Sequence, residues 1–223
     1  SSDLYFTPDA AARYREIVTS AEEAGIYLHF GTDEVLRAMS ADAQGVLAVV
    51  ESLGAGADSG GSAASGAALT AALGESPHLV AILSEARDPG NVGTIIRVAS
   101  AAGADAVILA GDSVDIENPK VVRASVGAVF HLPVVRGVSL EDAVTAARAV
   151  GLTVRATDGT GATDLVATNP PTPTAWIFGN EARGLTPDEL ALADDVVRIP
   201  MVGPTESLNL ASAVTLCLYS GLL

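Results

Sequence analysis

The chain has 223 residues, 49% of them apolar, with 27 acidic against 12 basic side chains and a formal charge of −15. That length buries one substantial core, or a medium domain beside a smaller one. The acidity excludes indiscriminate nucleic-acid binding, which needs cations to neutralise phosphates; a lone cysteine, Cys217, excludes an internal disulfide framework; and no apolar run is long enough to span a bilayer.

In chain order, residues 1–53 read as a small α/β unit. Strands are expected over 4–7, 26–30 and 45–50, and helices over 8–24 and 32–39, the second announced by Thr32-Asp33-Glu34. Ser1 to Phe6 read as a strand already under way, so further residues are expected before it. Residues 54–74 are rich in glycine, serine and alanine and read as a flexible interdomain linker with a short helix near 67–73.

From His78 onward strands and helices alternate. Strands are expected over 79–84, 105–110, 132–135, 152–157, 174–178 and 196–199, and helices over 91–102, 119–127, 139–150, 187–193 and 207–221. Apolar strands such as Trp176-Ile177-Phe178 call for cover on both faces and hence a mainly parallel sheet, whose ligands gather at the strands' carboxyl ends. His29, His78 and His131 lie far apart with no partners at ligand spacing, so no metal is expected. Cys217, in the apolar final helix, reads as a buried inert thiol and suits a cytoplasmic protein.

Three loops hold the chemistry. The first, Arg87 to Arg97, follows a strand and opens a helix with Asn91 in its first turn; it lacks the G-x-G-x-x-G pattern of dinucleotide sites. The second, Phe178 to Leu185, sets Glu181 and Arg183 at a strand's end, with Gly179 permitting close backbone approach. The third, Ile199 to Asn209, is a proline-bounded turn in which Thr205 or Ser207 is expected to cap the following helix. Each alone also reads as an ordinary capped connection. Of nine basic residues after position 75, five (Arg87, Arg97, Lys120, Arg123 and Arg183) fall in or beside these loops, which suggests a local anion site on an acidic body.

Together, Asp-Pro-x-Asn-x-Gly-x-Ile-x-Arg at 88–97, Phe-Gly-Asn-Glu-x-x-Gly-Leu at 178–185 and Ile-Pro-Met-x-Gly-x-x-Glu-Ser-Leu-Asn at 199–209 resemble the three signature motifs of the SpoU (TrmH) family of RNA ribose 2′-O-methyltransferases, in the same order. The intervening Lys120-Val-Val-Arg123-Ala-Ser125-Val-Gly127 matches as well, and the first unit resembles the L30e-like RNA-binding domain of many members.

The resemblance implies an α/β domain of the SPOUT type over 75–223 with a C-terminal trefoil knot, against the usual rule that chains do not thread themselves. It also implies a homodimer, S-adenosylmethionine as cofactor, and RNA, ribosomal rather than transfer RNA, as substrate. Thr157, Gly179, Asn180, Ile199, Met201 and Leu208 match cofactor positions. Asn91, Arg97, Glu181, Ser207 and Asn209 match active-site positions, Glu181 holding Asn91 and Arg97 in place while Ser207 and Asn209 orient loop and ribose. Arg87, Arg123, Ser125 and Arg183 are expected at RNA phosphates. An arginine is effectively always protonated, so Arg97 is expected to bind the adjacent phosphate and stabilise the developing alkoxide rather than accept a proton. The alternatives are a transfer-RNA methyltransferase or a non-catalytic RNA-binding protein with the same fold.

Overall fold

The computed structural model describes residues 3–50, 55–56, 61–167 and 173–222, and divides into two compact units, Ser1–Leu53 and Gly54–Leu223. The first contains β1 (Asp3–Phe6), α1 (Pro8–Arg13), α2 (Arg15–Glu23), β2 (Tyr27–Phe30), α3 (Asp33–Met39) and β3 (Val46–Val49). β1 is central, parallel to β2 and antiparallel to β3. Thr7 caps α1 and Thr32 caps α3 by accepting from backbone N–H groups three residues on, while Phe6 and Leu36 are fully buried. The single helix expected over 8–24 is two, because the backbone leaves the helical region at Tyr14 (φ −110°, ψ 46°).

The second unit runs β4 (Ala55–Gly56), α4 (Gly61–Leu73), β5 (Leu79–Ser84), α5 (Pro89–Ala101), β6 (Ala106–Ala110), α6 (Pro119–Ser125), β7 (Val134–Val138), α7 (Leu140–Ala149), β8 (Thr153–Thr157), β9 (Thr163–Asp164), β10 (Thr174–Phe178), α8 (Pro187–Ala191), β11 (Asp195–Arg198) and α9 (Leu210–Tyr219). Its eight strands form one sheet in the order β4-β7-β6-β5-β10-β8-β11-β9, every neighbouring pair parallel. Alternation along β5 and β10 turns Val80, Ile82, Ala175 and Ile177 toward α4 and α7; their neighbours Ala81, Leu83, Trp176 and Phe178 face the other way and are just as buried, on the side where α5 and α9 pack.

Several expectations are corrected. The short helix expected near 67–73 is longer, Gly61–Leu73, and is no mere part of a linker: Leu69 and Leu73, one turn apart, are buried in the main core against β7 and α7. Alanine makes the segment look featureless and also makes it a good helix former. The strand expected over 132–135 runs over 134–138, beginning after Pro133, which has no N–H to give a ladder. The helix over 119–127 stops at Ser125, where Val126 turns left-handed (φ 51°). The last helix starts at Leu210 rather than 207, and its cap is Asn209, not Thr205 or Ser207. The short strands β4 and β9 carry no alternation the sequence could have shown.

Candidate active site

Because all the strands run the same way, the loops after β5, β8, β10 and β11 leave the same edge of the sheet. From β5 the chain builds toward β6 and β7, then α7 carries it to the other side, where β10 pairs with β5 and β8. The order therefore reverses between β5 and β10, and such a switch point opens a crevice at the strands' carboxyl ends. Both strands end in register there, Leu83 opposite Phe178.

Asp88 opens α5 as its cap, accepting from Asn91 N at 2.7 Å, with Pro89 next. On the facing loop, Glu181 accepts from the backbone N–H groups of Arg87 (3.2 Å) and Asp88 (3.1 Å), and from Asn91 Nδ2 at 3.4 Å. Asn91 Oδ1 in turn accepts from Asn209 Nδ2 at 2.9 Å. Asn209 also caps α9, its Oδ1 accepting from Ala211 N and Ser212 N. A continuous polar chain, Glu181 to Asn91 to Asn209, thus joins the three loops. Asn91 and Asn209 line a recess of about 480 Å3 with Thr94, Ala124, Ser212 and Thr215.

Arg97 lies one helical step of three beyond Thr94 on α5, exposed and without a hydrogen bond or ion pair to the described residues. The helix does not bring it to Glu181, which holds Asn91 and the α5 entrance but not Arg97. Ser207 is exposed in the loop before α9.

Thr157 ends β8, its hydroxyl donating to Ile177 O at 3.3 Å. Gly179 follows β10 where the loop folds back on itself: a Cβ there would stand 2.3 Å from Gly184 C and 2.5 Å from Leu185 N, so only glycine fits. Asn180 closes this turn, accepting from Ala182 N and Arg183 N and donating to Glu85 O at 2.7 Å. In the third loop Ile199 is half-buried, while Met201 and Leu208 are 40% and 39% exposed.

The expected phosphate contacts fare unevenly. Ser125 is fully buried and its hydroxyl donates to Val122 O at 2.8 Å, so it faces no solvent and the side chain is committed to its own helix rather than displayed at the surface as a phosphate contact would require. It serves a helix crossing: a Cβ on Gly93 would lie 2.5 Å from Val121 O and 2.6 Å from Ala124 Cβ, so α5 and α6 touch through small residues. Arg183 donates to Glu189 Oε2 (2.8 Å) and pairs with Glu85 Oε2 (3.1 Å), its charge already met within the chain. Arg87 pairs with Asp112 at 2.8 Å on the surface, and Arg123 is exposed.

Sequence reasoning missed Ser84, Glu85 and Glu189, which hold the second loop. Burial alone raises the Glu189 pKa, but hydrogen bonds from Arg183, Ser84 and Thr186 outweigh it and bring the carboxyl down to about 2. Those bonds to Glu189, and others to Glu85, raise Arg183. The Thr186-Pro-Asp-Glu189 capping box was legible as a helix start, but not the reach of its glutamate across to Arg183. Burial pushes the Cys217 thiol up to about 12. Among the described residues no group of three His, Cys, Asp or Glu is placed to hold a metal, and no helix is long and apolar enough to cross a membrane.

Fold and site together define a parallel α/β protein whose polar loops meet at the switch point of its sheet. The profile of the SpoU rRNA Methylase family matches residues 78–219, and the chain belongs to that family. It is 43% identical over 136 residues to the 23S rRNA (uridine(2479)-2′-O)-methyltransferase of Streptomyces viridochromogenes, covering 59% of this chain and 47% of the relative. It is 36% identical over 140 residues to the 23S rRNA (guanosine(2553)-2′-O)-methyltransferase RlmP of Bacillus subtilis, covering 63% and 56%. The chain thus spans about half the length of the curated relatives it matches. The crystal structure of the SpoU methyltransferase AviRb from Streptomyces viridochromogenes, in complex with AdoMet, superposes with a TM-score of 0.82 at 31% identity, covering 99% of this chain and 81% of that one.

Proposed function

We propose that this protein transfers a methyl group from S-adenosylmethionine to a ribose 2′-hydroxyl of RNA, with 23S ribosomal RNA as substrate. The observation that carries the reading is the Glu181–Asn91–Asn209 chain, which binds three motif loops into one polar site in a member of this family.

The residues present suit the cofactor. Gly179 keeps the β10 loop flat against itself, and Ile199, Met201 and Leu208 offer apolar surface for an adenine. With Thr157, Gly179 and Asn180 they would hold it. When bound, S-adenosylmethionine supplies a methyl group already activated on its sulfonium sulfur. The protein's own task is then to align an oxygen and ease loss of its proton.

Asn91, fixed by Glu181 and Asn209, presents an oriented amide toward the recess. Arg97 binds the phosphate next to the target ribose and stabilises the developing alkoxide, with that phosphate or a water taking the proton; Ser207 orients the sugar. Arg87 and Arg123 meet further phosphates, and a 2′-hydroxyl target selects RNA over DNA. The first unit is the L30e-like substrate-binding domain, the second closes in a trefoil knot, and the protein acts as a cytoplasmic homodimer.

The test is to map 2′-O-methyl groups in 23S RNA after incubation with the protein and S-adenosylmethionine. One new site, lost in Arg97→Lys, which keeps the charge but not the fork of donors, is the expected result. Absence of methyl incorporation into ribosomal or transfer RNA, or near-normal turnover by Arg97→Lys, overturns the reading or the role of Arg97 respectively.

A further inference from the structure

We propose that Arg183, clamped between Glu85 and Glu189, is a positioning residue that fixes the 179–186 loop in the shape that binds the cofactor; the inference rests on the methyltransferase reading above. One guanidinium ties together parts of the crevice that are distant in sequence. Arg183 Nη1 donates to Glu189 Oε2 at 2.8 Å and to its neighbour Gly184 O at 3.2 Å, and Nη2 stands 3.1 Å from Glu85 Oε2. Glu189 is anchored in turn: it accepts the Ser84 hydroxyl, which is only 3% exposed at the end of β5, and Thr186 N at 2.7 Å at the start of α8. Glu85 joins the ends of two more strands, its backbone N–H donating to Ala110 O at the end of β6 (3.0 Å) and its carbonyl accepting from Asn180 beyond β10 (2.7 Å). The arrangement spans β5, β6, β10 and α8.

Stability does not account for the Glu85 arm. The Arg183 side chain is 37% exposed and that of Glu85 36%, and an ion pair so open to water contributes little to folding, in contrast to the Glu189 arm, whose carboxylate is only 16% exposed. Yet Glu85 is held left-handed (φ 49°), a conformation unusual for any residue but glycine. Local strain in exchange for a weak ion pair is the pattern expected where geometry is needed for function. What the clamp fixes is the turn carrying Asn180 and Glu181, with Glu181 at the head of the polar chain to Asn91 and Asn209.

The experiment compares the whole 223-residue chain as wild type, Arg183→Gln, Arg183→Lys and Glu85→Gly. Readouts are Tm, titration calorimetry with S-adenosylmethionine, and the split between cofactor KM and kcat. Glu85→Gly keeps the left-handed backbone at no steric cost while deleting the carboxylate, so it remains informative should Arg183→Gln fold poorly. The expected result is a Tm within about 3 °C of wild type for Glu85→Gly, as a surface ion pair implies, and a larger fall for Arg183→Gln, which deprives the half-buried Glu189 carboxylate of its cation. Alongside it, cofactor affinity should fall tenfold or more in Arg183→Gln and Glu85→Gly, and less in Arg183→Lys. Amides of 182–186 should exchange with deuterium faster in the weakened variants. Unchanged affinity, or a loss that merely follows a falling Tm, overturns the clamp and leaves the methyltransferase reading standing. No cofactor binding by wild type overturns both.

Discussion

Asn209 has two tasks that substitution can separate. Its side-chain oxygen caps α9, and its amide nitrogen holds Asn91. Serine keeps a capping acceptor but cannot span to Asn91. Asn209→Ser is therefore expected to unfold in urea within a few tenths of a kcal/mol of wild type while losing tenfold or more in methyl transfer, whereas Asn209→Ala additionally loses about 1 kcal/mol. Equal turnover by Asn209→Ser and wild type would remove Asn91 and Asn209 from the site. Glu189 supplies a pH test. Its pKa is depressed from 4.5 to about 2, so its contribution is complete above pH 4.5 and is lost as pH falls toward about 2. The unfolding free energy of wild type, from urea titrations, should fall through that window more steeply than that of Glu189→Gln, by at most about 3 kcal/mol. A parallel decline in both proteins would show that the carboxylate is not held as described. At this scale the sequence located the polar residues but not their partners. Ser125 and Arg183 sit in recognisable motifs and read as phosphate contacts, but burial of the one and double pairing of the other depend on elements remote in sequence.

Elements follow the same division. Strands β5 and β10 were read at their observed limits because continuous apolar runs bounded by polar loops have few alternatives. Helix ends moved by a few residues wherever a cap, rather than periodicity, decided them, as at Asn209. Only the end of α4, near 67–73, is legible as a helix within a linker, because glycine, serine and alanine hide the two leucines that seat it. The α5–α6 crossing could not be read at all. Gly93 belongs to the first motif, and its missing Cβ makes room for Val121 O and Ala124. Gly93→Ala is expected to cost about 1–3 kcal/mol in denaturant unfolding, since the atoms in the way are backbone and a short side chain that cannot swing aside. A change under 0.5 kcal/mol would mean that the two helices part at no cost, and that their closeness does not set the recess beside Asn91.

For the whole molecule, the parallel sheet and the meeting of three loops on one edge were legible, because alternating strands and helices leave little choice of architecture. The reversal of strand order between β5 and β10 was not, since pairing order leaves no trace in a single sequence. Residues 54–223 have their own core, so this piece alone is expected to unfold cooperatively and to bind S-adenosylmethionine within about threefold of the full chain. Calorimetry and thermal melts of the 54–223 fragment check this; aggregation or a broad melt would show that the units depend on each other.

The bond from Asn209 to Asn91 bridges 118 positions, and the glutamate that steadies Asn91 lies 90 away. Contacts of such span are slow to form. During synthesis, β5 and α5 are made long before β10 and α9, so the pocket cannot close until the last of its three loops has emerged. A chain that stops short of α9 would hold most of a folded sheet yet lack the Asn209–Asn91 bond that completes the pocket.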